Sequence, residues 1–160
     1  MTYELLNGLA SAEAEQILGL GARLSVPSGT PLFRLSEAAD RLFLVTRGLI
    51  RLSLPMQIRG REENILVEEI SSGQTLGWSA LIPPFRFTLT ATALVETEVI
   101  ALPREALQAY FDAHPAAGWR VAQNLAIVIG HRLHLFQTMW LREMERNVEV
   151  HSALREGAAR

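Results

Sequence analysis

The chain holds 160 residues, of which 49% are hydrophobic and 20% charged. That length suits one domain, and the apolar share supplies a real core, which excludes a disordered chain. Against 17 Asp and Glu stand 15 Lys and Arg, a formal charge of -2 that speaks against a nucleic-acid partner, and the lack of cysteine excludes disulfides, thiolate metal sites and a cysteine nucleophile.

The start of the chain has no basic n-region, and Glu4, Glu13 and Glu15 interrupt every apolar stretch that could serve as a secretory signal. No apolar run approaches the roughly twenty residues that span a bilayer. A cytoplasmic protein without a membrane partner is expected.

Ser11 to Leu18 has the pattern of a short helix, with Ser11 as its expected N-cap and Gly19 and Gly21 closing it. The period then changes to two. Leu42 to Val45 forms an apolar strand, and Thr46-Arg-Gly48 makes a tight connection. Ile50, Leu52 and Leu54 then alternate with Arg51 and Ser53 in the manner of a half-buried strand. Arg59-Gly-Arg-Glu-Glu63 has the look of a hairpin tip, followed by a strand through Ile65, Val67 and Ile70 and a turn over Ser71-Ser-Gly-Gln74. Leu89, Ala91 and Ala93 alternate with threonines, and Glu96-Thr97 turns that strand into Val99 to Leu102. Short strands at this spacing predict a mainly β fold, an antiparallel jelly-roll barrel followed by C-terminal helices. Ile82-Pro-Pro-Phe85 must be a loop, because its prolines remove two ladder donors.

From Pro103, placed in a first helical turn, a helix is expected to run to about His114, where His114-Pro115 breaks it. A long helix follows. Trp119, Ala122, Ala126, Ile129, Leu133, Phe136 and Trp140 recur at steps of three and four, a heptad seam suited to a partner helix. Val121, Leu125, Val128, Leu135 and Met139 make a second stripe. One face suffices to lie on the barrel, so two faces predict a homodimer through this helix. Glu143 and Asn147 fall on the seam next, so the coil is expected to loosen past Trp140. The whole chain, 1–160, is expected to be a single domain, with a helical segment over 1–20, a barrel over 21–102 and helices over 103–157.

In this order the elements resemble the cyclic nucleotide-binding domain of the catabolite activator/fumarate-nitrate regulator superfamily. The residues that carry the likeness are Gly29-Thr-Pro-Leu-Phe33, Asp40 to Leu52, Gly73-Gln-Thr-Leu-Gly77, Ala91 to Leu102 and Gly130-His-Arg-Leu133. The resemblance implies a phosphate-binding cassette. It opens with Gly-Glu, whose Glu holds the ribose hydroxyl, and continues to an Arg, then Ser or Thr, that grips the cyclic phosphate. Here Gly77 matches, but Trp78 stands at the Glu position and Phe87 at the Arg position, with Thr88 matching the Ser/Thr. Indole only donates hydrogen bonds, so Trp78 cannot accept one from a ribose hydroxyl. A buried phosphate needs a cationic partner, which Phe87 lacks, and Arg86 lies one residue out of register, on the opposite strand face. The residues expected at the pocket are Gly77, Trp78, Ser79, Arg86, Phe87 and Thr88, with Trp78 and Phe87 or Phe85 at the barrel mouth and Arg86 turned outward. Cyclic AMP is expected not to bind in the usual way.

Other chemistry finds little support. His131 and His134 lie one turn apart without a third ligand nearby, so no metal or other cofactor is expected. A cupin would carry its ligands on barrel strands, whereas all four histidines fall in the C-terminal helical part. Ser79 in Gly77-Trp-Ser-Ala lacks the second glycine of a nucleophile elbow, so no catalytic residue is assigned and no enzyme is expected. A winged DNA-binding module would need about sixty further residues after the long helix, so the expectation is a stand-alone sensor domain without nucleic-acid binding. The alternatives are a ligand-free module for protein interaction and dimerisation, or the excised sensor domain of a transcription regulator.

Overall fold

Alternating apolar residues and well-placed turn chemistry dominate the middle of the chain, and the strands follow them. The computed structural model describes the backbone of residues 2–158 and the side chains of residues 2–149. A single 3-10 turn over Glu4–Leu6 precedes α1 (Ser11–Gly19). The strands are β1 (Ala22–Val26), β2 (Pro31–Phe33), β3 (Arg41–Arg47), β4 (Leu49–Ile58), β5 (Arg61–Ser71), β6 (Thr75–Leu76), β7 (Thr90–Ala93) and β8 (Thr97–Pro103). The C-terminal helices are α2 (Arg104–Ala113) and α3 (Pro115–Ala158).

The strands form two four-stranded antiparallel sheets, ordered β1-β8-β3-β6 and β2-β7-β4-β5. This is the jelly roll the alternation predicts. Ile50, Leu52, Ala91 and Ala93 line one sheet's inner face, and all are buried. Phe43 pairs with Leu76 on one side and Ala101 on the other, giving the second sheet's inner face. Gly48 makes the β3–β4 connection at φ +101, where a Cβ would collide with Thr97. Only glycine fits both the dihedral and the contact.

Four local expectations need correction. Ala10 holds the N-cap of α1 in place of Ser11, and the Glu13 carboxylate accepts its amide at 3.1 Å. Pro103 closes β8 opposite Arg41 and caps α2 from outside, so that helix starts at Arg104. The strand holding Leu89 to Ala93 begins at Thr90. Ser53 is buried beside Leu52, where the register of β4 on β5 shifts: Leu52 pairs with Glu68 but Ser53 with Leu66. Val67 is left over as a bulge on β5, which breaks that strand's alternation, so that Val67 and Ile70, three residues apart, are both buried.

The N-terminal turn fastens the sheet edge to a helix. The Glu4 carboxylate accepts the Thr75 amide of β6 at 2.7 Å. The buried Asn124 side chain of α3 donates to the carbonyls of Leu5 and Asn7, both at 2.8 Å. The Leu5 and Asn7 carbonyls, at and just after the short turn, thereby find a side-chain donor.

The chain divides into two compact units, Met1–Val128 and Ile129–Arg160. In the first, Ala117, Val121, Leu125 and Val128 of α3 are buried, while Trp119 is 68% exposed and Ala122 and Ala126 are exposed. In the second, Ile129, Leu135, Phe136 and Met139 are half-buried, and Leu133 and Trp140 are 58% and 63% exposed. Among the described residues, no helix is long and apolar enough to cross a membrane.

Candidate functional site

The site lies where β6 leaves its sheet. Gly77 turns the chain at φ +78, and a Cβ there would come within 3.2 Å of the Arg41 carbonyl oxygen and of Phe43, and within 3.3 Å of Phe87. Glycine is therefore required by both the left-handed backbone and the close approach. A 3-10 turn over Trp78–Ala80 follows, with Ser79 and Ala80 buried and Trp78 half-buried. Ile82, Pro83 and Pro84 then run exposed across the surface.

The return segment pairs with the loop before β3. The Phe85 carbonyl accepts the Ala39 amide at 2.8 Å, the Phe87 amide donates to Glu37 at 3.0 Å, and the Phe87 carbonyl accepts the Ser36 amide at 2.8 Å. Arg86 forms a single antiparallel bridge with Ala38, and at such a bridge neighbouring side chains turn to opposite sides. Arg86 accordingly lies exposed, its Nη1 donating to the Ser36 carbonyl at 2.8 Å. Phe87 points inward and is 5% exposed. Thr88 is exposed. Phe85 is half-buried, with the Arg104 guanidinium 4.2 Å above its ring centroid, a cation–π contact.

Inside, Phe87 meets Phe33 of β2 face to face, with centroids 3.8 Å apart and planes 11° apart. Phe43 of β3 stands 5.7 Å from Phe33 and 6.5 Å from Phe87. Three rings drawn from both sheets and the loop thus occupy one volume of the jelly-roll interior. An aromatic wall of this kind favours apolar packing and offers nothing to neutralise a phosphate.

Of the residues singled out from sequence, the structure brings Gly77, Ser79 and Phe87 to the interior and leaves Trp78 at its rim. Arg86 and Thr88 lie on the outside. Sequence reasoning missed Phe33 and Phe43 as the partners of Phe87, and Arg104 as the partner of Phe85. Phe33 and Phe43 both fall in segments that carry the family resemblance, but no local signal says which distant ring each meets.

The sequence profile described as the cyclic nucleotide-binding domain matches residues 23–114, which is the jelly roll together with α2. The chain belongs to this family. The cyclic AMP receptor protein of Thermus thermophilus is 30% identical over 129 residues, 81% of this chain and 56% of that protein. The crystal structure of the Thermus thermophilus catabolite activator protein superposes with a TM-score of 0.72 at 28% identity, covering 89% of this chain and 63% of that one. A protein named glutaminase 1, from Bradyrhizobium diazoefficiens, is 25% identical over 129 residues, 81% of this chain but 20% of that protein. The chain therefore spans little more than half of the receptor protein and a fifth of the glutaminase. The family and its solved relative mark a regulatory cyclic nucleotide-binding-like domain, and the resemblance drawn from sequence order is correct.

Proposed function

We propose that this chain is a regulatory domain whose pocket does not take cyclic AMP in the family's usual way, and that it works as a homodimer through α3. The observation that carries the first half is the Phe33–Phe87 stack at 3.8 Å, which sits where the resemblance puts the phosphate-gripping arginine. The nearest cation in sequence, Arg86, is exposed and committed to a backbone carbonyl. With Trp78 in place of the ribose-binding carboxylate, two specific contacts are lost together, and a site built to hydrogen-bond its ligand loses orders of magnitude when such groups are absent.

Thermal unfolding with and without cyclic AMP and cyclic GMP tests this reading. A ligand held at 100 times its dissociation constant adds about 2.7 kcal/mol, an easily seen shift. No shift is expected from either nucleotide. Tight cyclic AMP binding that disappears in Arg86→Ala would overturn the proposal.

A second reading, a ligand-free module for protein interaction, is favoured by the same stack, because rings in van der Waals contact leave little room for a guest. A screen of aromatic and apolar metabolites separates the two. A stabilising hit lost in Phe87→Ala supports a reshaped sensor, and its absence supports the module.

A further inference from the structure

The segment between Gly77 and Phe85 folds on itself. The amides of Ala80, Leu81, Ile82 and Phe85 donate to the carbonyls of Gly77, Trp78, Ser79 and Ile82, at 3.0 to 3.3 Å. Among the described backbone hydrogen bonds, the one that joins residues 78–85 to the rest of the fold runs from the Ala39 amide to the Phe85 carbonyl, at 2.8 Å. Beneath the segment, Ser79 and Ala80 are buried, and the Gly77 backbone lies against Phe43 and Phe87. The segment thus roofs the ring cluster while being fastened at its two ends.

Both ends hold left-handed backbone, with different consequences. Gly77, at φ +78, adopts it without strain and can turn freely. Phe85, at φ +57, cannot: a bulky L-residue is strained there. Among the described residues it is the one aromatic side chain with a positive φ, beside Ser36 and Arg59. Strain of this kind persists only where the surroundings impose it.

Arg104 imposes it. This residue opens α2 directly after Pro103, which pairs with Arg41 at the end of the β3–β8 ladder. Its amide donates to the Asp40 carbonyl at 2.8 Å and its Nη1 to the Ala39 carbonyl at 3.0 Å. The guanidinium, so fixed, lies 4.2 Å from the Phe85 ring centroid. One half of the contact belongs to a rigid strand–helix junction, the other to the strained end of a self-contained loop.

We propose that residues 78–84 are a lid over the Phe33, Phe43 and Phe87 cluster, hinged at Gly77 and latched shut by Arg104 on the Phe85 ring. Backbone strain at Phe85 favours release once that contact is lost, and release opens the jelly-roll interior. The lid's role as a gate rests on the regulatory reading above, but its movement is tested without any ligand, so the two can fail separately.

Native-state hydrogen exchange on the full chain is the test. In the wild-type protein the amides of Ala80, Leu81 and Ile82 should exchange at least about a hundredfold faster than those of the β3–β8 ladder, because the lid opens without global unfolding. Arg104→Gln keeps a donor for the Ala39 carbonyl and removes the cation, whereas Phe85→Leu keeps the strain and removes the ring. Each should speed exchange at residues 80–82 by at least about tenfold more, and the double variant by no more than about twofold beyond either, since both break one contact. Phe85→Asn, whose side chain tolerates left-handed backbone, should exchange at least about threefold more slowly there than Phe85→Leu. Lid amides that exchange no faster than the ladder, rates at residues 80–82 unmoved by both single variants, additive effects in the double variant, or equal rates for the leucine and asparagine variants would each overturn the proposal.

Discussion

The Phe87 ring lies flat on that of Phe33, 3.8 Å between centroids, and so joins the loop after Gly77 to an edge strand of the opposite sheet from β6. Both rings are buried, at 5% and 6% exposure, and Phe43 completes the group. Removing the Phe87 ring leaves a void walled by two aromatic neighbours that cannot collapse far into it. Phe87→Ala should therefore lose about 3–5 kcal/mol, read as a lower denaturation midpoint at unchanged slope. Phe87→Arg should also destabilise, because a guanidinium there has no counter-charge within the ring cluster. A loss under about 1 kcal/mol for the alanine variant would mean that the cluster is not packed as described.

Legibility from sequence tracked the range of the interaction. The β3–β4 and β4–β5 hairpins were plain because alternation and the turns at Gly48 and Arg59-Gly60 are local signals. β1 and β2 gave no clear period: β1 buries only Val26 fully, and β2 has 3 residues. The bulge at Val67 is not legible, because the extra residue is defined only by pairing with β4. At the site, the inward turn of Phe87 and the outward turn of Arg86 follow from a period of two applied to a known register. The Phe33 stack and the Arg104–Phe85 contact do not, since each joins residues remote in sequence.

Arg86 offers a test with a small expected effect. Its guanidinium is exposed and makes one described hydrogen bond, to the Ser36 carbonyl at 2.8 Å. Arg86→Ala should change stability by no more than about 1 kcal/mol and leave the response to nucleotides as it was. A loss of binding to phosphate or a cyclic nucleotide in that variant would put the guanidinium in the pocket after all.

Thr75 is fully buried in β6, and its hydroxyl has no hydrogen-bond partner among the described residues. Its amide, by contrast, is satisfied by Glu4. A buried hydroxyl without a partner carries a desolvation cost that a methyl group of the same shape avoids. Thr75→Val should be neutral or stabilising by up to about 1 kcal/mol, the reverse of the usual sign for a core substitution. A clear destabilisation in chemical denaturation would imply a partner for that hydroxyl, such as an ordered water.

The long helix poses the last question. Val121, Leu125 and Val128 are buried, whereas Trp119 at 68%, Leu133 at 58% and Trp140 at 63% stand exposed at intervals of one heptad or its multiple. Apolar rings left in water along a helix mark a surface that another element covers. The heptad spacing fits a parallel helix of the same kind, which a twofold homodimer supplies. Replacing Ile129 and Leu133 by Glu puts two carboxylates into each chain's seam, four across the dimer, where burial and mutual repulsion both oppose association. Sedimentation should show dimers for the wild-type chain at micromolar concentration and monomers for the double variant. Both substituted residues lie outside the buried stripe, so the jelly roll should keep its circular dichroism spectrum and cooperative melt. A wild-type monomer at that concentration would defeat the dimer reading and leave the seam to a different partner.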